Sequence, residues 1–130
     1  MIVDASALVA ILMREPEGPD FREILLQAGS AHLSPVGYWE AAVRLHGLRG
    51  DAGVVDLDRL LAELSIEVVP ATSRTAKTAQ IAEVRFGKRT PARLNLGDCF
   101  AYALASELGA PLLYKGDDFN QTDIRPAVTG

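Results

Sequence analysis

Four short segments of this 130-residue chain each carry a carboxylate where packing alone would not ask for one. They are Met1-Ile2-Val3-Asp4-Ala5-Ser6, Trp39-Glu40-Ala41-Ala42, Asn95-Leu96-Gly97-Asp98-Cys99 and Lys115-Gly116-Asp117-Asp118-Phe119. Carboxylates gathered in one place repel one another and lose hydration unless a cation joins them. An oxygen-only donor set suits Mg²⁺ or Mn²⁺, and a hard cation among acids suits phosphodiester chemistry.

Each acid also has an ordinary structural account. Asp4 could cap a helix, and Glu40 could pair with Arg44 one turn later. Asn95 and Asp98 have the spacing of a capping box, and Gly-Asp-Asp is a common turn composition. Capping and metal binding are compatible, since a carboxylate has two oxygens, and Ser6 could orient Asp4 or a bound water. Asp123 is a further acid, read as a solvated strand edge. Other site chemistries have less support. His32 and His46 lack a zinc spacing, and Cys99, the sole cysteine, excludes an internal disulfide and reads as a small buried side chain. No Gly-rich phosphate loop of the P-loop or dinucleotide type is present.

The elements that must hold these residues alternate in type. Ile2-Val3 reads as a very short strand, and Ala7, Leu8, Ile11 and Leu12 recur at helical spacing over Ala5 to Met13. A second short helix carries Phe21, Ile24 and Leu25 and ends before Gly29. After a strand at His32-Leu33, Ser34-Pro35 starts a helix that carries Val36, Trp39, Ala42, Val43 and His46 before Gly47. On that helix Val36, Trp39 and Val43 make an apolar face, with Glu40 at the boundary of the core. A helix from about Leu57 to Leu64 precedes a strand at Ile66–Val69, and Thr72 or Ser73 caps a longer helix through Phe86. The last pair is a helix over Leu96–Leu108, closed by Gly109, and a strand at Leu112–Tyr114.

Short apolar strands separated by helices predict one α/β domain over residues 1–130: a three-layer sandwich with a short, mostly parallel central sheet flanked by helices. Ligands of such sheets bind at the carboxyl ends of the strands. Asp4 ends the first strand and Lys115 to Asp118 follow the last, so two of the four acidic segments fall there.

Apolar residues make up 48% of the chain, enough for a real core. No stretch reaches the roughly 18 apolar residues of a membrane span, and the start lacks the basic region of a signal peptide. A soluble, cytoplasmic protein without a membrane partner is expected. The net charge is -4, yet Arg74 to Arg93 holds six basic residues (Arg74, Lys77, Arg85, Lys88, Arg89, Arg93) against Glu83 alone. Arg85, Lys88, Arg89 and Arg93 are therefore candidates to hold a nucleic-acid backbone. Tyr38, Trp39 or Phe86 could stack on a base, although such spacings are more often core.

Taken together and in order, Ile-Val-Asp4-Ala-Ser6-Ala-Leu, Trp-Glu40, Leu-Gly-Asp98-Cys-Phe-Ala-Tyr-Ala and Leu-Leu-Tyr-Lys-Gly-Asp-Asp118-Phe resemble a PIN domain, and more specifically a VapC-type ribonuclease toxin of a type II toxin–antitoxin pair. The resemblance implies a homodimer, Mg²⁺- or Mn²⁺-dependent cleavage of RNA, and a small cognate antitoxin. By position, Asp4, Glu40 and Asp98 would be the core acids and metal ligands, Asp118 the fourth and Asp117 a lesser occupant of that place. Ser6 and Asn95 would support them. Three rivals stand beside this reading. A haloacid-dehalogenase-like phosphatase also starts with an aspartate after a short strand, but expects a second aspartate where this chain has Ser6. A non-catalytic RNA-binding or assembly module would keep the fold without the chemistry. A DNA nuclease is compatible with the same acids.

Overall fold

The computed structural model of the chain describes residues 1–127. Its four strands are β1 (Ile2–Val3), β2 (Ala31–Leu33), β3 (Ile66–Val68) and β4 (Leu112–Leu113), all parallel, in the order β3-β2-β1-β4. Parallel neighbours require crossovers, and helices supply them: α1 (Ala5–Leu12) and α2 (Gly18–Ala28), α3 (Pro35–Arg49) and α4 (Asp51–Glu63), then α5 (Ser73–Phe86) and α6 (Leu96–Leu108). A 3-10 turn at Asp118–Gln121 follows β4.

Strands of two or three residues make few ladder bonds, so packing on both faces must hold them. The alternation of side chains across a strand divides the core in two. Val3 and Leu113 point to the layer of α1 to α4 and pack with Leu8, Leu25, Leu45 and Leu57. Ile2 and Leu112 point the other way, to α5, α6 and Phe119. Each of these strand residues is essentially inaccessible to solvent; side chains of this kind stabilise by roughly 1.5–3 kcal/mol apiece. The three-layer sandwich expected from the sequence is what forms.

Most element boundaries follow local signals. Ser34 caps α3 through a bond from Val36 N–H with Pro35 at its first position, and Thr72 with Thr75 forms a capping box on α5. Two boundaries differ from the sequence reading by more than one residue. Helix α3 runs through Gly47 to Arg49 and stops at Gly50, whose φ of 68° turns the chain. Helix α4 begins at Asp51, six residues before Leu57, because Gly53 has a tertiary role. A Cβ there would sit 2.5 Å from the Leu45 carbonyl oxygen, so glycine lets α4 lie directly on α3.

The apolar face read onto α3 is also revised. The residues it buries are Gly37, Ala41 and Leu45, whereas Trp39 is 61% and Val43 51% exposed. Among the described residues no helix is long and apolar enough to cross a membrane.

Candidate active site

Strand β1 ends where its last backbone donor is spent: the Asp4 N–H bonds the Leu113 carbonyl of β4 at 2.9 Å. The next residues turn into α1, and the Asp4 side chain caps that helix. Its Oδ2 accepts from the Ser6 N–H at 3.1 Å and from the Ser6 hydroxyl at 2.6 Å. The Ser6 Oγ in turn accepts the Lys115 N–H at 3.0 Å, which ties the loop after β4 to the same carboxylate. Asp4 is buried, and burial raises its carboxyl above the ordinary value against the lowering effect of the Ser6 bonds. A buried carboxylate that lacks a cation is costly as an anion.

Asp98 arrives from the other side of the sheet. Asn95 and Asp98 form the expected capping box, with Asn95 N–H donating to Asp98 Oδ2 at 3.0 Å and Asp98 N–H to Asn95 Oδ1 at 2.9 Å. Burial drives the Asp98 carboxyl from 3.8 to about 7, against the lowering bond from Asn95; the charges of Asp4, Asp118 and Glu40 push it further in the same direction. Glu40, half-buried in α3, is raised by burial and then by Asp4. Three acids from three helices therefore feel one another, as neighbouring like charges must.

Gly97 is what admits Glu40. A Cβ on Gly97 would fall 1.3 Å from Glu40 Oε1, so the glutamate head occupies the space where any other residue would carry its side chain. A cavity of about 590 Å³ opens over this point, bordered by Asp4, Ser6, Glu40, Asn95 and Asp98. It lies at the carboxyl ends of β1 and β4, where the fold rule puts a ligand.

The fourth acidic segment contributes differently. Asp117 accepts from the Asn120 side-chain amide at 3.2 Å and its charge falls on Tyr114. Asp118, exposed at the start of the 3-10 turn, is the one whose charge reaches Asp4 and Asp98. Neither lines the cavity wall, which Lys115 and Gly116 form at this edge. Asp123 is engaged elsewhere, accepting the Tyr102 hydroxyl at 2.6 Å beside Arg85.

The basic stretch does not line the cavity either. Arg85 lies over the Phe86 ring and 3.8 Å from Asp123, while Lys88, Arg89 and Arg93 are exposed on the loop that leads into α6. That loop is anchored by buried Ala92 and Leu94, the latter bonding the Phe86 carbonyl at 2.8 Å. The cations at the cavity are Arg44 and Lys115, which the sequence reading did not weigh as site residues. Lys115 is paired with Glu15 and, at 3.4 Å, with Glu17, and Glu15 also borders the cavity. The contact spans about 100 positions of sequence and leaves no local signal. Cys99 is buried and its thiol is pushed up to about 11 by burial, as an inert packing residue should be.

Carboxylate oxygens dominate the donors at this cavity, their pKa values are raised by burial and further by neighbouring acids, and Asp98 keeps Oδ1 clear of protein hydrogen bonds among the described residues. That donor set fits a hard divalent cation. Among the described residues no three His, Cys, Asp or Glu groups meet as a closed ligand cluster. The acids border the space without converging on a point.

Comparison with known proteins shows the family and the fold. The family model described as PIN domain matches residues 1–125. The chain is 41% identical to Ribonuclease VapC42 of Mycobacterium tuberculosis over 133 residues, covering 99% of this chain and all of that protein. It is 39% identical to Ribonuclease VapC28 of the same organism over 130 residues, 98% of both chains. The crystal structure of Mycobacterium tuberculosis VapC20, titled a sarcin-ricin loop cleaving toxin, superposes with a TM-score of 0.76 over 95% of both chains at 16% identity, a likeness of fold. The chain belongs to the PIN-domain family and, within it, to the VapC ribonucleases.

Proposed function

We propose that this protein is a metal-dependent endoribonuclease that hydrolyses RNA phosphodiester bonds and acts in the cytoplasm as the toxin of a toxin–antitoxin pair. The observation that carries it is the meeting of Asp4, Glu40 and Asp98 around one cavity, each with a raised carboxyl pKa, in a chain of this family. Asp4, Asp98 and Glu40 would hold Mg²⁺ or Mn²⁺, with Asp118 acting on the ion from the rim. A bound ion of this kind supplies neutralisation of charge at the phosphoryl group and activation of a water for attack.

The remaining work falls to the chain's own groups. Ser6 fixes the Asp4 carboxylate by two bonds, and Lys115 N–H fixes the Ser6 hydroxyl. Asn95 fixes one oxygen of Asp98, a residue of the cavity wall, and leaves the other without a protein hydrogen bond among the described residues. Asp118 adds negative charge from the rim, and Asp117 supports the turn that carries it. Lys88, Arg89 and Arg93, with Arg85 behind them, offer an outer track for the RNA backbone. A small antitoxin would close this groove. A homodimer is supported by the apolar surface of α5 and α6, where Ile81, Val84 and Leu96 are each more than half exposed.

The phosphatase rival is disfavoured by Ser6, whose hydroxyl is committed to Asp4, and a non-catalytic module has no use for three mutually repelling acids. The deciding experiment incubates total bacterial RNA with the protein in Mn²⁺ or Mg²⁺, in EDTA, and with Asp4→Asn or Asp98→Asn. Cleavage should require the cation and fall by orders of magnitude in both variants. Undiminished cleavage in either variant would refute the assignment.

A further inference from the structure

Helix α3 satisfies its packing with Gly37, Ala41 and Leu45, yet its outer face sets Trp39 and Val43 against solvent at the wall of the acidic cavity. Trp39 is the chain's only tryptophan and is 61% exposed. Residues four apart on a helix are neighbours, so Trp39 lies beside Val43, and Glu40 beside Arg44. Arg44 also lines the cavity, is exposed, and has no ion-pair partner among the described residues. Lys115, the other cation at the cavity, is already held by Glu15 and Glu17. Among the described residues the acidic site thus has one uncommitted positive group, and an exposed indole five residues before it on the same helix lines the same cavity.

An aromatic face beside a guanidinium is the combination that holds a single-stranded nucleic acid: the base stacks, and the phosphate meets the charge. We infer that α3 is the substrate track of this site, with Trp39 stacking on an unpaired base next to the phosphate under attack and Arg44 holding the adjoining phosphate. The inference rests on the nuclease reading above and gives its substrate a form: a strand whose base is free to leave its neighbours. Paired bases in an A-form helix cannot reach the indole. Arg44 also offsets the repulsion that Asp4, Glu40 and Asp98 exert on an incoming phosphate. Both side chains are exposed, so their replacement leaves the fold intact.

The single tryptophan makes the test direct. Stopped-flow mixing of the protein in Mn²⁺ with a mixed-sequence 12-nucleotide RNA should quench Trp39 emission saturably, and the same RNA annealed to its complement should not. In steady-state cleavage of total bacterial RNA, Trp39→Ala should raise KM roughly ten-fold with little change in kcat, and Trp39→Phe should recover most of the loss. Arg44→Gln should flatten the plot of log(kcat/KM) against log salt by about one unit of slope, which Arg44→Lys should preserve. Wild-type KM in Trp39→Ala, or unchanged emission while RNA is being cleaved, would overturn the inference. Emission that responds to an amphipathic peptide and never to RNA would overturn it as well, assigning the face to a protein partner. Quenching by single-stranded RNA without any cleavage would sustain the track and refute the nuclease reading instead.

Discussion

Replacing Gly97 by alanine tests the site through a residue that carries no chemistry of its own. The added Cβ would lie 1.3 Å from Glu40 Oε1, 2.1 Å from its Cδ and 2.7 Å from Oε2. Non-bonded contacts settle near 3.5 Å, so the carboxylate must retreat by about 2 Å. The obstacle is the end of a flexible side chain, and a displaced rotamer costs about 0.5–1.5 kcal/mol. Alanine regains up to about 1 kcal/mol over glycine in a helix. Fold stability should therefore change by less than about 1 kcal/mol, while Glu40 leaves the group around the cavity. Losing the placement of one acid should weaken Mn²⁺ binding by roughly 10–100-fold, the range seen when groups that orient ligands are removed. Calorimetric Mn²⁺ titration, RNA cleavage and thermal melting on the same preparations give the three readings. Adding Gly97→Ala to Glu40→Gln should cost little beyond Glu40→Gln alone, because both act through one carboxylate. If Gly97→Ala binds Mn²⁺ and cleaves RNA like the parent, the placement of Glu40 over Gly97 has no bearing on function.

Three other outcomes follow from the same geometry. The carboxyl groups of Asp4, Glu40 and Asp98 are all raised in the folded protein, so the contribution of each to stability is full at low pH and is lost as pH rises; for Asp98, raised from 3.8 to about 7, it is full below about pH 4 and fades as pH rises through about 7. For Asp98 the span corresponds to about 4 kcal/mol, which partial solvent exposure reduces to about 2. Melting in EDTA should accordingly lose ground from this site between pH 4 and 7, and the gain from Mn²⁺ should grow over that window; equal Mn²⁺ gains at pH 5 and pH 8 would contradict it. Ser6→Ala removes the hydroxyl that joins Asp4 to Lys115 N–H, and should lower stability by about 1 kcal/mol and Mn²⁺ affinity about ten-fold, with Ser6→Thr near the parent in both. Gly53→Ala drives a Cβ against the backbone carbonyl of Leu45, which has nowhere to rotate; chemical denaturation should show a loss of about 1–3 kcal/mol with residual activity per folded molecule unchanged.

What was legible in the sequence depended on whether the governing contacts were local. Apolar runs, caps and turns gave the strands and most helix limits, because each is decided within a few residues. The α3 face was misread for a physical reason: hydropathy weights large side chains, but close packing selects small ones, and Gly37, where a Cβ would lie 2.9 Å from Leu33 Cδ1 of β2, and Ala41 lie in the buried stripe instead of Trp39. The same closeness hid the start of α4 behind Gly53. Charge counting along the chain drew attention to Arg74–Arg93, whereas the cavity is lined by Arg44 and Lys115, brought there by crossovers from distant positions. Composition reports how much charge a segment carries, not which wall it faces.

The acids themselves were legible because two local and tertiary demands coincide. In a parallel sheet every strand hands over to a helix at the same edge, so helix N-termini gather where the ligand binds. Those termini need polar caps, and in this chain Asp4 and Asp98 serve as capping groups at α1 and α6. A capping signal in the sequence thus doubles as a pointer to the site, provided the cap is an acid with an oxygen to spare. Glu40 is the exception, since it lies in the second turn of α3 and caps nothing. Its place depends on the missing side chain of Gly97, and that dependence makes the alanine substitution the sharpest probe of whether these carboxylates work together.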